Sequence, residues 1–151
     1  ARHPSETEER VMIRLLAFAL HASDALTFTK GMFDTDEPDL WEKDLTGAIH
    51  TWIEVGQPDD KRLLKACGRA ENVVVYSYSA ASPIWYKGLA SRVDRAKNLA
   101  IVNIPAETSA ALERMAKRGM QLQCTIQDGQ VWLTDGADTV QVERESWKAG
   151  L

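Results

Sequence analysis

The sequence predicts an α/β (α+β) fold in which helices flank a mixed central sheet. Three observations carry that expectation. The first half reads helix, strand, strand, strand, helix, strand. Prolines stand where three of the helices begin, at Pro58, Pro83 and Pro105, with runs rich in Val, Ile and Tyr between those helices. The tail turns to hairpin patterning around Asp128-Gly129. Amphipathic helices interleaved with strands are stable when both bury their apolar faces on a shared sheet.

The elements follow in order. Ser5-Glu6-Thr7-Glu8 reads as a capping box, with Ser5 as cap and Glu8 reaching back. The helix it starts is expected to run to about Ala22, burying Val11, Leu15, Phe18, Ala19 and Ala22. Residues 26–29 make a short strand, and Lys30-Gly31 with residues 34–38 supply loop chemistry. Residues 40–45 and 49–55 read as two strands joined at Thr46-Gly47. Pro58, with Asp59 and Asp60, opens a second helix that ends near Gly68. A strand over 73–78, a helix over 82–96, a strand over 99–104 and a helix over 105–118 closed by Gly119 follow. Strands over 121–127 and 130–134 flank Asp128-Gly129, and 138–142 adds another. No repeat or low-complexity linker interrupts the 151 residues, so one domain is expected.

Composition narrows the classes. A hydrophobic fraction of 44% and a charged fraction of 26% are those of an ordinary globular domain. The net charge of −4 means that any nucleic-acid footprint must be local. Two cysteines give neither a disulfide framework nor a four-cysteine zinc site, and point to a reduced, cytoplasmic setting. The most apolar stretch, residues 11–20, is broken by Arg14 and is too short to span a bilayer. No signal peptide is visible. The chain opens on Ala1 at a helix-start signal, so an upstream segment is expected.

The candidate chemistry lies in Pro38-Asp39-Leu40-Trp41 and Trp52-Ile53-Glu54-Val55-Gly56-Gln57. Ile53 and Val55 flank Glu54 in a run that should be half buried, and charges are seldom placed there without a partner. With Thr46-Gly47 as a two-residue loop, Trp41 pairs with Trp52 and Asp39 with Glu54. Opposed carboxylates roughly 5 Å apart at Cβ repel, and a divalent cation would reverse the penalty, helped by the Val55 carbonyl. A competing register takes Asp44-Leu45-Thr46-Gly47 as a type I turn with a glycine bulge. It puts Asp39 opposite Ile53, and the carboxylates face opposite sides unless a second bulge restores them. The plainer alternative is structural: Asp39 as a turn carboxylate, and Glu54 in an ion pair with an arginine such as Arg10.

Residues around the pair extend both readings. Glu9 lies one turn before Met12 and Ile13 and can point inward, while Glu6 can pair with Arg10 at i,i+4. Gln57 can orient a water or a phosphate, or cap the turn. Lys61, Arg62, Lys65 and Arg69 form a basic run, and 62, 65 and 69 share a helical face that could track phosphates. His3, His21 and His50 lack metal-ligand spacing, although His50 can share the face of Glu54. There is no Ser-His-Asp signature and no glycine-rich phosphate loop. Tyr76, Tyr78, Trp85 and Tyr86 fit core and boundary positions better than base-stacking platforms.

These residues also carry a resemblance. Arg2-His3-Pro4-Ser5-Glu6-Thr7, Glu37-Pro38-Asp39-Leu40-Trp41, the run from Trp52 through Pro58, Lys65-Ala66-Cys67-Gly68-Arg69-Ala70 and the run from Met120 through Asp128 resemble the YaeQ family of bacterial proteins. The resemblance covers nearly the whole chain. Family members carry further strands ahead of the first helix, and this chain opens without them. The family is similar in fold to the PD-(D/E)XK nucleases, whose restriction-endonuclease-like core is αβββαβ.

The resemblance implies that Asp39 and Glu54 bind Mg²⁺ or Mn²⁺, with Glu6 or Glu9 as the helix acid. It places the superfamily's lysine at Gly56, where this chain departs from the pattern; Gln57 is adjacent, and Lys61 is the candidate substitute from the following helix. The expected function is therefore a metal-dependent phosphodiesterase acting on nucleic acid. The alternative is a non-catalytic nucleic-acid- or protein-binding regulator on the same fold.

Overall fold

The chain is described here from a computed structural model, over residues 7–29, 37–117 and 120–150. The first helix, α1 (Glu8–Leu20), is followed by β1 (Leu26–Phe28), β2 (Leu40–Lys43), β3 (Ile49–Val55), α2 (Asp60–Arg69) and β4 (Ala70–Tyr78). This is the α-β-β-β-α-β order expected from the sequence. Next come α3 (Ser82–Val93), β5 (Leu99–Ile104), α4 (Ala106–Met115), β6 (Gln123–Gln127), β7 (Gln130–Thr134), β8 (Thr139–Val142) and β9 (Glu145–Lys148).

The main sheet has six strands in the order β1-β2-β3-β4-β5-β9. The central strands β3, β4 and β5 are parallel, because α2 and α3 carry the chain back between them. The flanking strands are antiparallel, so the sheet is mixed. A second sheet, β6-β7-β8, stands apart from the first. Its hairpin turns on Asp128 (φ +52°) and Gly129 (φ +78°), a primed turn matched to strand twist.

Two apolar clusters cover the two faces of the main sheet. Met12, Ile13, Leu16 and Ala17 of α1 pack with Leu112 and Met115 of α4, with Ile53, Val55 and Ile104, and with Val131, Leu133 and Val142 of the smaller sheet. Leu63 and Ala66 of α2 and Leu89 and Val93 of α3 pack with Trp52, Val73, Val75, Leu99 and Ile101 on the opposite face. The alternation of side chains along β3 sends Trp52 to one cluster and Ile53 and Val55 to the other.

Several sequence expectations are corrected. The cap of α1 is Thr7, whose side chain accepts from the Arg10 amide; Ser5 lies outside the described residues. The buried stripe of α1 is rotated to Met12, Ile13, Leu16 and Ala17, with Val11, Leu15, Phe18 and Ala19 half buried and Ala22 exposed. The reason is that α1 contacts α4 as well as the sheet. The helix expected to reach Ala96 ends at Val93. That expected to reach Arg118 ends at Met115, and Arg118 and Gly119 lie outside the described residues. The strand β9 was not expected. Its four residues carry charge at both ends and alternate weakly, and it is held by long-range contacts. Tyr86 stacks on Trp147 at 5.2 Å, and Glu145 accepts from Asn103 Nδ2 at 2.8 Å.

Candidate functional site

The β2–β3 hairpin combines the two registers weighed above. Its turn is the one built on Asp44: Asp44 Oδ1 accepts from the amides of Thr46 and Ala48 at 2.8 and 3.1 Å, and Gly47 follows with φ +90°. These bonds, that of the Thr46 hydroxyl first, hold the Asp44 carboxyl below its usual range. The register then slips between Glu42 and Lys43, so Trp41 faces Trp52 as in the simple hairpin. At the far end the Asp39 amide donates to the Ile53 carbonyl at 3.0 Å, and Leu40 also takes Ile53 as its partner. Asp39 therefore pairs through its backbone with Ile53 rather than Glu54. Its carboxylate nonetheless lines the same cavity as that of Glu54.

That cavity, of about 300 Å³, lies at the carboxyl end of β3 and is lined by Arg10, Glu37, Pro38, Asp39, Glu54, Val55, Gln57, Pro58 and Arg62. The two acids are almost inaccessible, Asp39 at 3% and Glu54 at 5% exposure. Each is neutralised by an arginine from a different helix. Arg10 Nη2, on α1, donates to Asp39 Oδ1 and to the Val55 carbonyl, the latter at 3.2 Å. Asp39 Oδ2 accepts from the Val55 amide at 2.7 Å. Asp39 and Arg10 thus bind the two polar ends of one residue of β3.

Glu54 is held separately. Its Oε1 accepts from Trp52 Nε1 and from Arg62 Nε, both at 2.8 Å. Arg62, on α2, continues to the Glu37 carbonyl at 2.6 Å, which ties the segment before β2 to the helix. Burial raises the Glu54 carboxyl above the usual range. Arg62 and the Trp52 indole oppose the rise, and the nearby negative charge of Asp39 adds to it. The partner for Glu54 is therefore Arg62, not Arg10, which goes to Asp39.

The other candidate residues disperse. Gln57 lines the cavity, but its Nε2 donates away from it, to the Tyr78 carbonyl, Ser79 Oγ and Ser82 Oγ at 3.1–3.3 Å, stapling the β3–α2 connection to the β4–α3 connection. Lys61 is exposed on α2 and is not among the described residues that line the cavity. Glu9 accepts from Ser109 Oγ of α4 at 2.8 Å, joining two helices rather than the acid pair. Glu6 lies outside the described residues. Arg69 stands over the Trp52 ring, 5.0 Å from its centroid, and Lys65 is exposed. His50 is exposed and pairs with Glu71 at 2.8 Å and Glu42 at 3.7 Å, away from Glu54. Trp52 was missed as a site residue. Its position two residues before Glu54, on the same side of the strand, is the signal that finds it.

Gly56, where a lysine would stand by resemblance, has φ +115°. An L-residue is strained in that conformation, although among the described residues nothing within 4 Å would meet a Cβ there. The chain turns there directly from β3 toward α2, and the Gly56 amide donates to the Tyr76 carbonyl at 2.9 Å.

A divalent ion would require oxygens free to face it, roughly six for Mg²⁺. As arranged, both oxygens of Asp39, Oε1 of Glu54 and the Val55 carbonyl already accept from nitrogen donors. Among the described residues no group of three or more His, Cys, Asp or Glu is placed to hold a metal. The residues as they stand do not fit a bound divalent ion, and the position between Asp39 Oδ1 and the Val55 carbonyl is taken by the guanidinium of Arg10.

Comparisons with known proteins agree on one family. Residues 1–144 match the family model described as YaeQ protein. The chain is 41% identical over 149 residues to the uncharacterized protein YaeQ of Escherichia coli (strain K12), covering 98% of this chain and 82% of that one. The crystal structure of YaeQ protein from Xanthomonas axonopodis pv. citri superposes with a TM-score of 0.93 at 42% identity, over 99% of this chain and 85% of that one. The YaeQ protein from Pseudomonas syringae also gives 0.93, at 36% identity, over 99% and 83% of the two chains.

Proposed function

The chain belongs to the YaeQ family, and from that premise we propose that it is a non-catalytic nucleic-acid-binding protein on a nuclease-like fold. The observation that carries this reading is the Arg10 guanidinium between Asp39 Oδ1 and the Val55 carbonyl. A fixed guanidinium there neutralises a buried carboxylate without a metal. The backbone at Gly56 argues the same way, because a lysine side chain is strained at φ +115°. The binding part of the proposal is supported by the basic run on α2, of which Lys61, Lys65 and Arg69 are exposed, with Arg62 paired to Glu54 and Arg69 standing over the Trp52 ring. A cytoplasmic setting belongs to the same proposal; Cys67 and Cys124 stand as free thiols.

A second reading is a metal-dependent phosphodiesterase. It is favoured by the convergence of a carboxylate and a backbone carbonyl on one cationic nitrogen, since both are hard oxygen ligands of the kind Mg²⁺ or Mn²⁺ takes. It requires the ion to displace Arg10. Incubation with labelled DNA and RNA, with and without Mn²⁺, separates the two. The first reading expects retention of nucleic acid without turnover and an unchanged melting temperature in Mn²⁺. Metal-dependent cleavage that disappears in Glu54→Ala would sink it and install the second.

A further inference from the structure

Charge is divided unevenly along the chain. Residues 59–97, which build α2, β4, α3 and the turn after it, carry eight lysines and arginines against four acids, a balance of +4. The whole chain stands at −4, so the remainder carries −8. The charged residues of this segment lie on the helices and the chain ends around them, because β4 from Asn72 to Tyr78 has none.

The two helices form one layer. They touch each other, and both bury their apolar sides in the cluster around Trp52. Their outward sides match. On α2 the exposed residues Lys61, Leu64, Lys65 and Gly68 follow the i, i+3, i+4, i+7 spacing of one helical face. On α3 the exposed residues Ile84, Lys87, Gly88 and Ser91 follow the same spacing. Neither stripe holds an acid. Arg92 in the last turn of α3, and Arg95 and Lys97 after it, extend the exposed basic surface with Asp94 among them; Arg92 lies 3.7 Å from Asp60 of α2.

Gly68 and Gly88 add an independent observation. Glycine weakens a helix relative to alanine. At neither position does the backbone adopt a positive φ, and a Cβ would meet nothing within 4 Å. Among the described residues nothing packed against either place calls for glycine. An outward-facing helical glycine lets another backbone approach closely.

We propose that this α2–α3 face is a docking surface for the phosphate backbone of duplex nucleic acid, recognised by charge and shape rather than by sequence. The inference rests on the nucleic-acid reading above and moves the contact from the cavity to the helical layer. A lysine and an outward glycine on the same face of each helix, Lys65 with Gly68 and Lys87 with Gly88, suit two adjacent tracks of phosphate, for which charge neutralisation supplies most of the affinity. Duplex is favoured over single strand because the nearby aromatic rings are engaged. Trp85 and Tyr86 pack against the apolar cluster and against each other, and Tyr86 stacks on Trp147. Single-strand binders need such faces free for base stacking.

The test measures anisotropy of a fluorescein-labelled 20-base-pair DNA duplex with the full chain, at 50 and 200 mM KCl. Lys87→Glu with Arg95→Glu is expected to weaken duplex binding at least tenfold and to flatten the dependence of log Kd on log salt by about two. Gly88→Ala is expected to raise the melting temperature while weakening binding, a split that a purely structural role does not produce. The milder pair Lys87→Gln with Arg95→Gln, checked by circular dichroism, covers misfolding of the reversal. Binding within twofold of wild type in both pairs overturns the inference; if Asp39→Asn abolishes binding at the same time, the nucleic-acid reading survives and the contact belongs to the cavity. No duplex binding at 50 mM KCl overturns both. Capture by phosphatidylserine vesicles that duplex cannot compete away overturns the inference in favour of a membrane surface.

Discussion

Arg10 and Asp39 clamp Val55 from both ends: the carboxylate takes its amide at 2.7 Å while the guanidinium takes its carbonyl at 3.2 Å, and the two side chains pair with each other. The closed unit joins α1 to the end of β3 and to the segment before β2. It gives an acid at 3% exposure a cationic partner and a backbone donor beside a second buried acid. The same unit takes up the oxygens on which a metal reading depends, so structure and function compete for one set of atoms.

The first prediction concerns that competition. Arg10→Ala leaves Asp39 buried without its cation and is expected to cost about 3 kcal/mol in urea denaturation, the scale for breaking a buried pair. Adding Asp39→Asn should recover part of that loss, because the stranded charge is removed. Mn²⁺ should raise the melting temperature of Arg10→Ala and leave wild type unmoved. A single-variant cost below about 0.5 kcal/mol would show that the pair is not structural.

The second concerns Glu54, whose folded carboxyl is raised by burial above the usual range despite Arg62. The sign follows from proton linkage. Where the folded state holds the proton more tightly than the unfolded state, stability falls as pH rises from the ordinary glutamate value through the folded one. Glu54→Gln keeps an acceptor for the Trp52 indole and does not titrate. The difference in melting temperature, variant minus wild type, should therefore grow between pH 4.5 and pH 7. A difference that shrinks over that range would mean that the attraction of Arg62 exceeds the effect of burial.

The third concerns Gly56. Gly56→Ala should destabilise the fold by about 1–2 kcal/mol in chemical denaturation, through backbone strain at φ +115° alone, since no neighbouring atom would meet the new methyl group. Gly56→Lys should cost a similar amount and confer no cleavage of nucleic acid in Mg²⁺ or Mn²⁺. Cleavage appearing in the lysine variant would show that the cavity is a catalytic centre lacking a single group.

How much of this is legible in the chain depends on the range of the forces involved. The element order through β5 can be read because capping, proline placement and Val-rich runs act locally. Trp41 facing Trp52 can be read too, since register follows from pattern and turn. Asp39 opposite Ile53 is one of the two registers that the chain offers; that it coexists with Trp41 facing Trp52, through the slip at Glu42/Lys43, cannot be read from the local pattern. The identity of each arginine partner is also hidden. Arg10 and Arg62 both lie near carboxylates in sequence terms, and only the packing of α1 and α2 on opposite faces assigns one to Asp39 and the other to Glu54. The strand β9 was unreadable for the same reason, being fixed by Asn103 and Tyr86 far earlier in the chain.

The fourth prediction lies away from the cavity, where His21 closes α1 and its Nε2 meets the Tyr76 hydroxyl at 2.6 Å. Burial lowers the His21 imidazole below its ordinary 6.5, with the Glu42 charge pulling the other way, and burial pushes the Tyr76 hydroxyl up to about 12. At neutral pH the uncharged ring and the phenol share one hydrogen bond, whose donor is set by the imidazole tautomer. Because the unfolded chain takes up a proton at His21 before the folded one does, the stabilisation is complete above pH 6.5 and is lost as pH falls through the folded value. Urea midpoints should fall from pH 7.5 to pH 5 in wild type and fall less in His21→Gln, which keeps an acceptor but does not titrate. Tyr76→Phe should cost about 1–2 kcal/mol at pH 7.5 by leaving a half-buried ring nitrogen without its hydrogen-bond partner. If wild type and His21→Gln trace parallel curves, the acid sensitivity arises elsewhere, and the carboxylates of the arginine-clamped cavity become the groups to test next.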